Sequence, residues 1–556
     1  MATHSTHSKD KLPLEMLYHW EKTSPKKVYL KQPLKGEFRD YTWEQIANQV
    51  RRMAAAIREM NFPDGSAIAI LSKNCAHWIM SDLAIWMAGH VSVPLYPNLS
   101  ANTVKQILEH SEAKLIFVGK LDDWGGIKSG ISKNISCISF PYQSPTEFNN
   151  WDQVIENVQP LQESPSRRTN ELATLIYTSG TSGVPKGVMH NFDAITLSAS
   201  RVMDMKEIGL NPKDRFFSYL PLSHVAERLL VETCSLYCGG EVWFAESLET
   251  FAQNLKAAKP TIFLAVPRIW EKFRSGILAK MPEKKLSLLL SIPVLSAFIR
   301  KKIQSQLGLY HAHDIITGAA ACAPDLMRWY KKLGLNLQEG YAMTENFSYS
   351  HYTVRSRVKI GCVGQPFPGV DVKISETGEI LVKSHSTMMG YYKEPGLTKE
   401  AIQDGYLRTG DQGQVDSEGF LKITGRVKDL FKTAKGKYVA PTPIELRFSS
   451  NSLIEQVCIV GADLPQPVAL VVLAEIARKL PQEQVKKDLE DFVDRLNEAL
   501  DHHERIDKVV IVRDPWTMQN DLLTPTLKLK RFAIEKKYAT SIRTWSTSSD
   551  SFIWEV

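Results

Sequence analysis

Leu172 to Tyr177 is a short apolar run of the length of one buried strand, and it opens without a spacer into Thr178-Ser179-Gly180-Thr181-Ser182-Gly183-Val184, which Pro185-Lys186-Gly187 closes. Gly180 and Gly183 allow positive φ and close approach of backbone to a ligand, so successive N–H groups can aim into one concavity. The hydroxyls of Thr178, Ser179, Thr181 and Ser182 add donors for phosphate oxygens, and Lys186 adds a full positive charge. This composition suits a polyphosphate better than a neutral ligand. No Gly-Lys-Ser/Thr follows, so the loop is not of the Walker type.

The segments before it predict the frame that carries such a loop. A helix is expected to begin at Met16–Trp20, and Val28 to Tyr41 reads as a hairpin turning at Lys35-Gly36. Thr42 is the expected N-cap of a long amphipathic helix through Met60. Buried strands are predicted at Ala67–Leu71, Val91–Leu95 and Lys114–Val118, alternating with helices, which is the pattern of an α/β layered domain. At 556 residues the chain exceeds one core. A second, small α+β module is expected around the strand Glu455–Gly461 and the helix Glu483–Leu500. The predicted division is 1–424, a cap at 425–540, and a mobile Ser/Thr-rich tail at 541–556.

Net charge is +7, modest for this length, and no basic stripe alternates with aromatics, which speaks against nucleic acid. The seven cysteines, Cys75, Cys137, Cys234, Cys238, Cys322, Cys362 and Cys458, lack metal-ligand spacing and suit a reducing cytoplasm. The N-terminal MATHSTHSKDK has no apolar core for a signal peptide, and no run reaches the roughly 20 apolar residues of a membrane span. A cytoplasmic protein, peripheral on the membrane at most, is expected.

Taken with the motifs further along, the phosphate loop resembles the signature of the adenylate-forming superfamily of acyl-CoA synthetases, luciferases and peptide-synthetase adenylation domains. Gly318-Ala319-Ala320-Ala321 resembles its adenine segment, with Cys322 standing before Ala323-Pro324, and Glu339-Gly340-Tyr341-Ala342-Met343-Thr344-Glu345 its second nucleotide motif, with Ala342 where the family usually has Gly. The resemblance implies that Tyr341 faces adenine, Thr344 the α-phosphate, and Glu345, with Thr178, a Mg2+ ion. Asp411 in Tyr406–Asp411 resembles the ribose aspartate and is expected at a strand end; Arg426 and Lys432 are expected to face the nucleotide. Lys428 in Gly425–Asp429 falls on the hinge position of a swinging cap.

Lys435-Gly436-Lys437 is a loop suited to the pantetheine of CoA, or else an exposed turn. Thr524–Arg531 resembles the closing motif, with Leu527 in place of its Gly; alignment makes Lys528 the catalytic lysine and leaves Lys530 as its rival. His224 in His224-Val225-Ala226-Glu227-Arg228, otherwise readable as a helix cap, is implied in carboxylate positioning or pocket gating. That wording, and Val266–Trp270 at the end of a predicted strand from Pro260, resembles long-chain fatty acyl-CoA synthetases. The implied reaction uses ATP, a fatty acid and CoA, with AMP and pyrophosphate as products. A fatty acyl-AMP ligase, a β-lactone synthetase and a membrane-binding protein without catalysis are the alternatives, and monomer and homodimer stay open. Leu286 to Ile299, apolar, broken by Pro293 and flanked by Lys284-Lys285 and Arg300-Lys301-Lys302, suits either a membrane interface or a buried helix pair beside the acyl pocket.

Overall fold

A computed structural model describes residues 11–142, 147–179, 185–524 and 528–555. Ala67–Leu71 and Val91–Leu95 are buried along their whole length. They lie inside a seven-stranded sheet whose order is Gly390–Tyr391, Pro185–Asn191, Leu172–Ser179, Val91–Leu95, Ala67–Leu71, Leu115–Val118, Ser136–Ser139. Period-two alternation gives each face its own core. Ile68 and Ile70 pack with Ile46, Val50 and Met53 of the helix Trp43–Glu59, while Ala69 and Leu71 pack with Val104, Ile107 and Leu108 of the helix Ala101–Ser111. Trp43–Glu59 begins where Thr42 caps it: the Thr42 hydroxyl accepts from Gln45 N–H, and the Gln45 side chain accepts in return from Thr42 N–H at 2.9 Å. The hairpin Val28–Leu34/Glu37–Thr42 turns at Lys35 and Gly36, both at positive φ.

The strand Leu172–Ser179 pairs antiparallel with Pro185–Asn191, so the described residues on either side of the phosphate loop are hydrogen-bonded neighbours. A second, nine-stranded sheet carries Arg215–Ser218, Ile262–Ala265, Asp314–Gly318 and Leu337–Tyr341 as parallel neighbours. His224, Ala319 and Ala342 follow the carboxyl ends of three of these strands, where ligands of parallel sheets sit. A five-stranded antiparallel sheet, Asp371 to Arg426, supplies Asp411 and Arg426.

From Phe431 onward the buried apolar clusters share no member with those before Ile423. Here a four-stranded sheet runs Ile454–Val460, Val468–Leu473, Lys508–Ile511, Phe552–Trp554. The segment expected to be a mobile tail is part of it: the helix Arg531–Ser546 buries Ile534, Tyr538 and Ile542, and Phe552–Trp554 pairs parallel to Val509–Ile511. Apolar Phe552 and Ile553 outweigh the Ser/Thr composition around them. Two further expectations shift. Val266–Trp270 starts a helix, Pro267–Lys280, because Pro267 is preorganised for its first turn. Asp411 stands inside the strand Tyr406–Val415 instead of at its end. No helix among the described residues is long and apolar enough to cross a membrane.

Candidate active site

Gly318 and Gly340 are register partners on adjacent strands, and a Cβ on Gly318 would lie 3.0 Å from the Gly340 carbonyl oxygen, so position 318 favours a residue without a side chain. Ala319 continues at φ +64, a turn that leaves Ala320 exposed. Glu339 supports this turn from behind: it is buried, its Oε1 accepts from Cys322 N–H at 3.2 Å, and desolvation pushes its pKa up to about 7. Tyr341 donates its hydroxyl to Asp411 Oδ2 at 2.8 Å, and Arg426 Nε donates to Asp411 Oδ1 at 2.8 Å. Asp411 and Arg426 are cross-strand register partners, which is how residues fifteen apart in sequence meet. Gly410 reaches positive φ just before Asp411 and donates its N–H to Glu379, whose other oxygen takes Arg408.

At the phosphate end, Thr178 stands opposite Lys186 on the hairpin, while Gly180, Thr181, Ser182 and Gly183, with the Ser179 side chain, lie outside the described residues. Tyr391 pairs with Val188 on the hairpin's outer side and joins two predicted residues. Its hydroxyl donates to Glu345 Oε1 at 2.8 Å, and the Lys186 ammonium stands 5.4 Å from its ring centroid. Desolvation raises the Glu345 pKa, opposed by that hydrogen bond and by the charges of Arg426 and Lys186. Met343 meets Asn346 through its backbone N–H, and the Thr344 carbonyl takes His190 Nε2–H at 2.7 Å, holding the turn that presents Glu345. His190 itself is kept neutral by burial, with its pKa lowered to about 4.

Among the described residues no three His, Cys, Asp or Glu side chains gather into a metal cage. The Glu345 carboxylate, and the Thr178 hydroxyl on the hairpin arm that faces Lys186, are nevertheless hard oxygens of the kind that suit Mg2+ when substrate phosphates and water supply most ligands.

The loop carrying Lys528 is closed reciprocally: Thr524 N–H donates to the Lys528 carbonyl at 2.8 Å, and Lys528 N–H to Thr524 Oγ1 at 3.0 Å. Pro525, Thr526 and Leu527 lie outside the described residues. Lys528 is solvent-exposed, yet enough protein surrounds its ammonium that loss of water is the first cause lowering its pKa. Arg426 lowers it further, and Asp411 and Glu345 oppose. The same ammonium acts on His224, whose pKa falls to about 4 chiefly through desolvation. Lys528, His224, Glu345, Asp411 and Arg426 therefore share one electrostatic environment, although three hundred residues of chain separate its ends. Lys530 does not join them: it pairs with Asp521 and precedes the helix Arg531–Ser546.

His224 caps a short helix by accepting Ala226 N–H on Nδ1 at 3.2 Å. A neutral ring with Nδ1 accepting carries its proton on Nε2, so His224 is both helix cap and neutral donor. Its motif neighbours have interior work. Glu227 accepts from Ser218 and Tyr219, and Arg228 pairs with Asp82 and Glu232, donates to Thr174 and lies over Trp78 and Trp86.

Of the cap residues, Lys428 occupies a single helical turn, Val427–Asp429, right after the strand that ends at Arg426. Lys432, expected to face the nucleotide, is exposed with its ammonium 5.9 Å from the Tyr438 ring centroid, because its strand turns Phe431 inward and Lys432 outward. Lys435, Gly436 and Lys437 form an exposed turn with Gly436 at φ +78. Tyr391, Glu379 and His190 were not singled out from sequence. Each acts through another residue's backbone or carboxylate, which leaves no motif wording in the sequence.

Residues 17–392 match the family model described as AMP-binding enzyme, and residues 428–549 match the AMP-binding enzyme C-terminal domain. The chain belongs to the AMP-binding enzyme family. Its relatives include the long-chain-fatty-acid--CoA ligase FadD15 of Mycobacterium tuberculosis, 28% identical over 576 residues that cover 95% of this chain and 96% of that one. Long-chain-fatty-acid--CoA ligase ACSBG2 of Homo sapiens is 27% identical, covering 90% and 87%. Among solved structures, the anthranilate CoA ligase AuaEII with anthranoyl-AMP shares the fold at TM-score 0.79 and 20% identity over 96% of this chain and 98% of that one. The A-PCP didomain of a carboxylic acid reductase from Segniliparus rugosus with AMP shares it at TM-score 0.80 and 20% identity, over 96% and 82%. This AMP-binding enzyme thus has the large α/β body and smaller C-terminal domain of adenylation proteins.

Proposed function

We propose that this AMP-binding enzyme activates a long-chain fatty acid with ATP, forming acyl-adenylate and pyrophosphate, and passes the acyl group to CoA with release of AMP. The observation that carries the proposal is the pair of hydrogen-bonded clusters Tyr341–Asp411–Arg426 and Tyr391–Glu345, whose charges act on the Lys528 ammonium. In the first half-reaction an acid oxygen attacks the α-phosphorus and pyrophosphate leaves. Charge grows between these atoms, and a preorganised ammonium in a partly dehydrated cleft stabilises it more than water does. Neutral His224 offers Nε2–H to the carboxylate without neutralising the nucleophile. Asp411 keeps lone pairs for ribose hydroxyls while Tyr341 and Arg426 fix its plane. Mg2+, held by Glu345 and Thr178, would supply charge neutralisation at the phosphates.

In the second half-reaction CoA thiolate attacks the acyl carbon and AMP leaves. Lys528 stands where the thiol would approach, so the C-terminal domain, from about Gly425, turns about Lys428 and brings Lys435-Gly436-Lys437 toward the pantetheine. The chain-length assignment draws on the relatives named as long-chain fatty acid ligases and on the Val266–Trp270 and His224–Arg228 wording. The direct test supplies palmitate, ATP, Mg2+ and either CoA or a phosphopantetheinyl carrier protein, with products read by mass spectrometry. Palmitoyl-CoA, AMP and pyrophosphate are expected. Acyl transfer to the carrier alone would make the enzyme an acyl-AMP ligase, and a lactone from a β-hydroxy acid without CoA would make it a β-lactone synthetase.

A further inference from the structure

The segment Leu286–Ile299 folds as a helical hairpin, Glu283–Ser291 and Pro293–Leu307, turning at Ile292. One side of it belongs to the core: Leu286, Ile299 and Ile303 are buried in the cluster that holds Trp270 and Tyr330. The other side is apolar and uncovered. Leu288 is 65% exposed, Ile292 47%, Val294 86% and Phe298 62%. Four large apolar side chains in eleven consecutive residues form a tip, unlike the isolated surface apolar groups that any protein carries.

Helix geometry decides what lies behind the tip. Along the second helix, Val294 and Phe298 are four residues apart, and the same face continues to Lys301 and Lys302. Along the first, Ile292 and Leu288 continue back to Lys284 and Lys285. All of these cations, and Arg300, are exposed. Lys301 also lies over the ring of the half-exposed Tyr310 at 5.3 Å, an amphipathic residue at the base. Between Lys280 and Lys302 the one acidic residue is Glu283, which is exposed and accepts Trp329 Nε1–H at 2.9 Å. From Val294 to Lys301 the axial rise is about 10 Å, matching the roughly 5–10 Å to which interfacial helices sink.

We propose that this hairpin docks the enzyme on an anionic lipid bilayer, with Leu288, Ile292, Val294 and Phe298 inserted among the acyl chains. Lys284, Lys285, Lys301 and Lys302 then stand at the height of the lipid phosphates. Charge complementarity selects the occupant: a second protein copy would bring the same cations to meet these, whereas an anionic lipid surface pairs them. The apolar tip and the basic collar are the two signals that stable interfacial binding needs. The proposal stands on this surface alone and is independent of which acid the active site takes.

The test is flotation with vesicles of equal parts phosphatidylcholine and phosphatidylglycerol, against pure phosphatidylcholine, across a salt series. The full chain is compared with Val294→Ser/Phe298→Ser, with Lys301→Glu/Lys302→Glu, and with Ile476→Ser, which alters a 63% exposed apolar residue of the C-terminal domain. Because the substituted side chains are exposed, all variants should keep the parent's melting temperature. The parent and Ile476→Ser should float with the mixed vesicles and release as salt rises. The tip variant should bind about tenfold more weakly or less. The charge-reversed variant should lose the preference for phosphatidylglycerol. The proposal is overturned if the parent fails to float, if either hairpin variant floats like the parent, or if the tip variant alters oligomeric state while flotation is unchanged.

Discussion

Removing the Lys528 ammonium separates the two half-reactions. Lys528→Ala deletes a cation whose charge acts on His224 and which is itself acted on by Arg426, Asp411 and Glu345, with desolvation and Arg426 lowering its pKa. A preorganised donor of this type is worth roughly 3 kcal/mol in the transition state, so adenylation should slow about 10² to 10³-fold. Adenylation is followed by pyrophosphate release in the absence of CoA. Thioester formation is followed with synthetic acyl-adenylate and CoA, and there the variant should run near the parent's rate, since the lysine has turned away. Lys530→Ala, which breaks only the pair with Asp521, should leave both steps nearly unchanged. The lowered pKa also sets a sign for pH. Adenylation needs the protonated amine, so its rate should fall on the alkaline side at a pH below the ordinary lysine range. Equal slowing of both half-reactions by Lys528→Ala in a folded protein would refute the swinging domain. A full loss in Lys530→Ala would refute the assignment of the lysine.

Three further outcomes follow from particular contacts. Arg228→Met leaves Asp82 and Glu232 buried without their cation, which should cost about 3–5 kcal/mol and lower the apparent melting temperature by several degrees in a thermal scan. His313 bridges Asp214 and Asp314, and these hydrogen bonds raise its pKa from 6.5 to about 9. A raised histidine stabilises fully below its unfolded value, so this contribution should be present below pH 6.5 and fade as pH rises through about 9. Denaturant midpoints of parent and His313→Gln should converge across that range. Gly436 sits at φ +78, and among the described residues only Lys432 would come within 4 Å of a Cβ there, so Gly436→Leu puts a branched side chain in open space at the turn. It should hinder thioester formation while pyrophosphate release survives, and equal loss of both would remove the loop from the pantetheine path.

Local physics made most of the frame legible. The Thr42 cap, the Lys35-Gly36 turn and the five-residue apolar strands are each settled within a few neighbouring residues, and they stand where expected. The elements that shifted were decided by partners far away in sequence. Phe552–Trp554 becomes a strand because the edge at Val509–Ile511 is free to receive it, and Asp411 lies mid-strand because Arg426 pairs across from it. The helix starting at Pro267 is the exception, a local proline signal read as the end of a strand. At the site, the residues expected to touch a ligand carry motif wording, whereas Tyr391, Glu379 and His190 each bond to one of those residues or its neighbour. The same distinction divides His224-Val225-Ala226-Glu227-Arg228. His224 caps its short helix within reach of the Lys528 charge, and Glu227 and Arg228 anchor the turn in the interior.

The measurement that bears most directly on the proposed activity is kcat/KM for pyrophosphate release over straight-chain acids from acetate to stearate, with and without CoA. Each buried CH2 contributes about 0.8 kcal/mol before ordering costs, so palmitate should exceed octanoate by well over tenfold, with CoA converting the adenylate to thioester. A preference of tenfold or more for acetate or benzoate would contradict the long-chain assignment, and the absence of pyrophosphate with any acid would contradict the adenylating site itself.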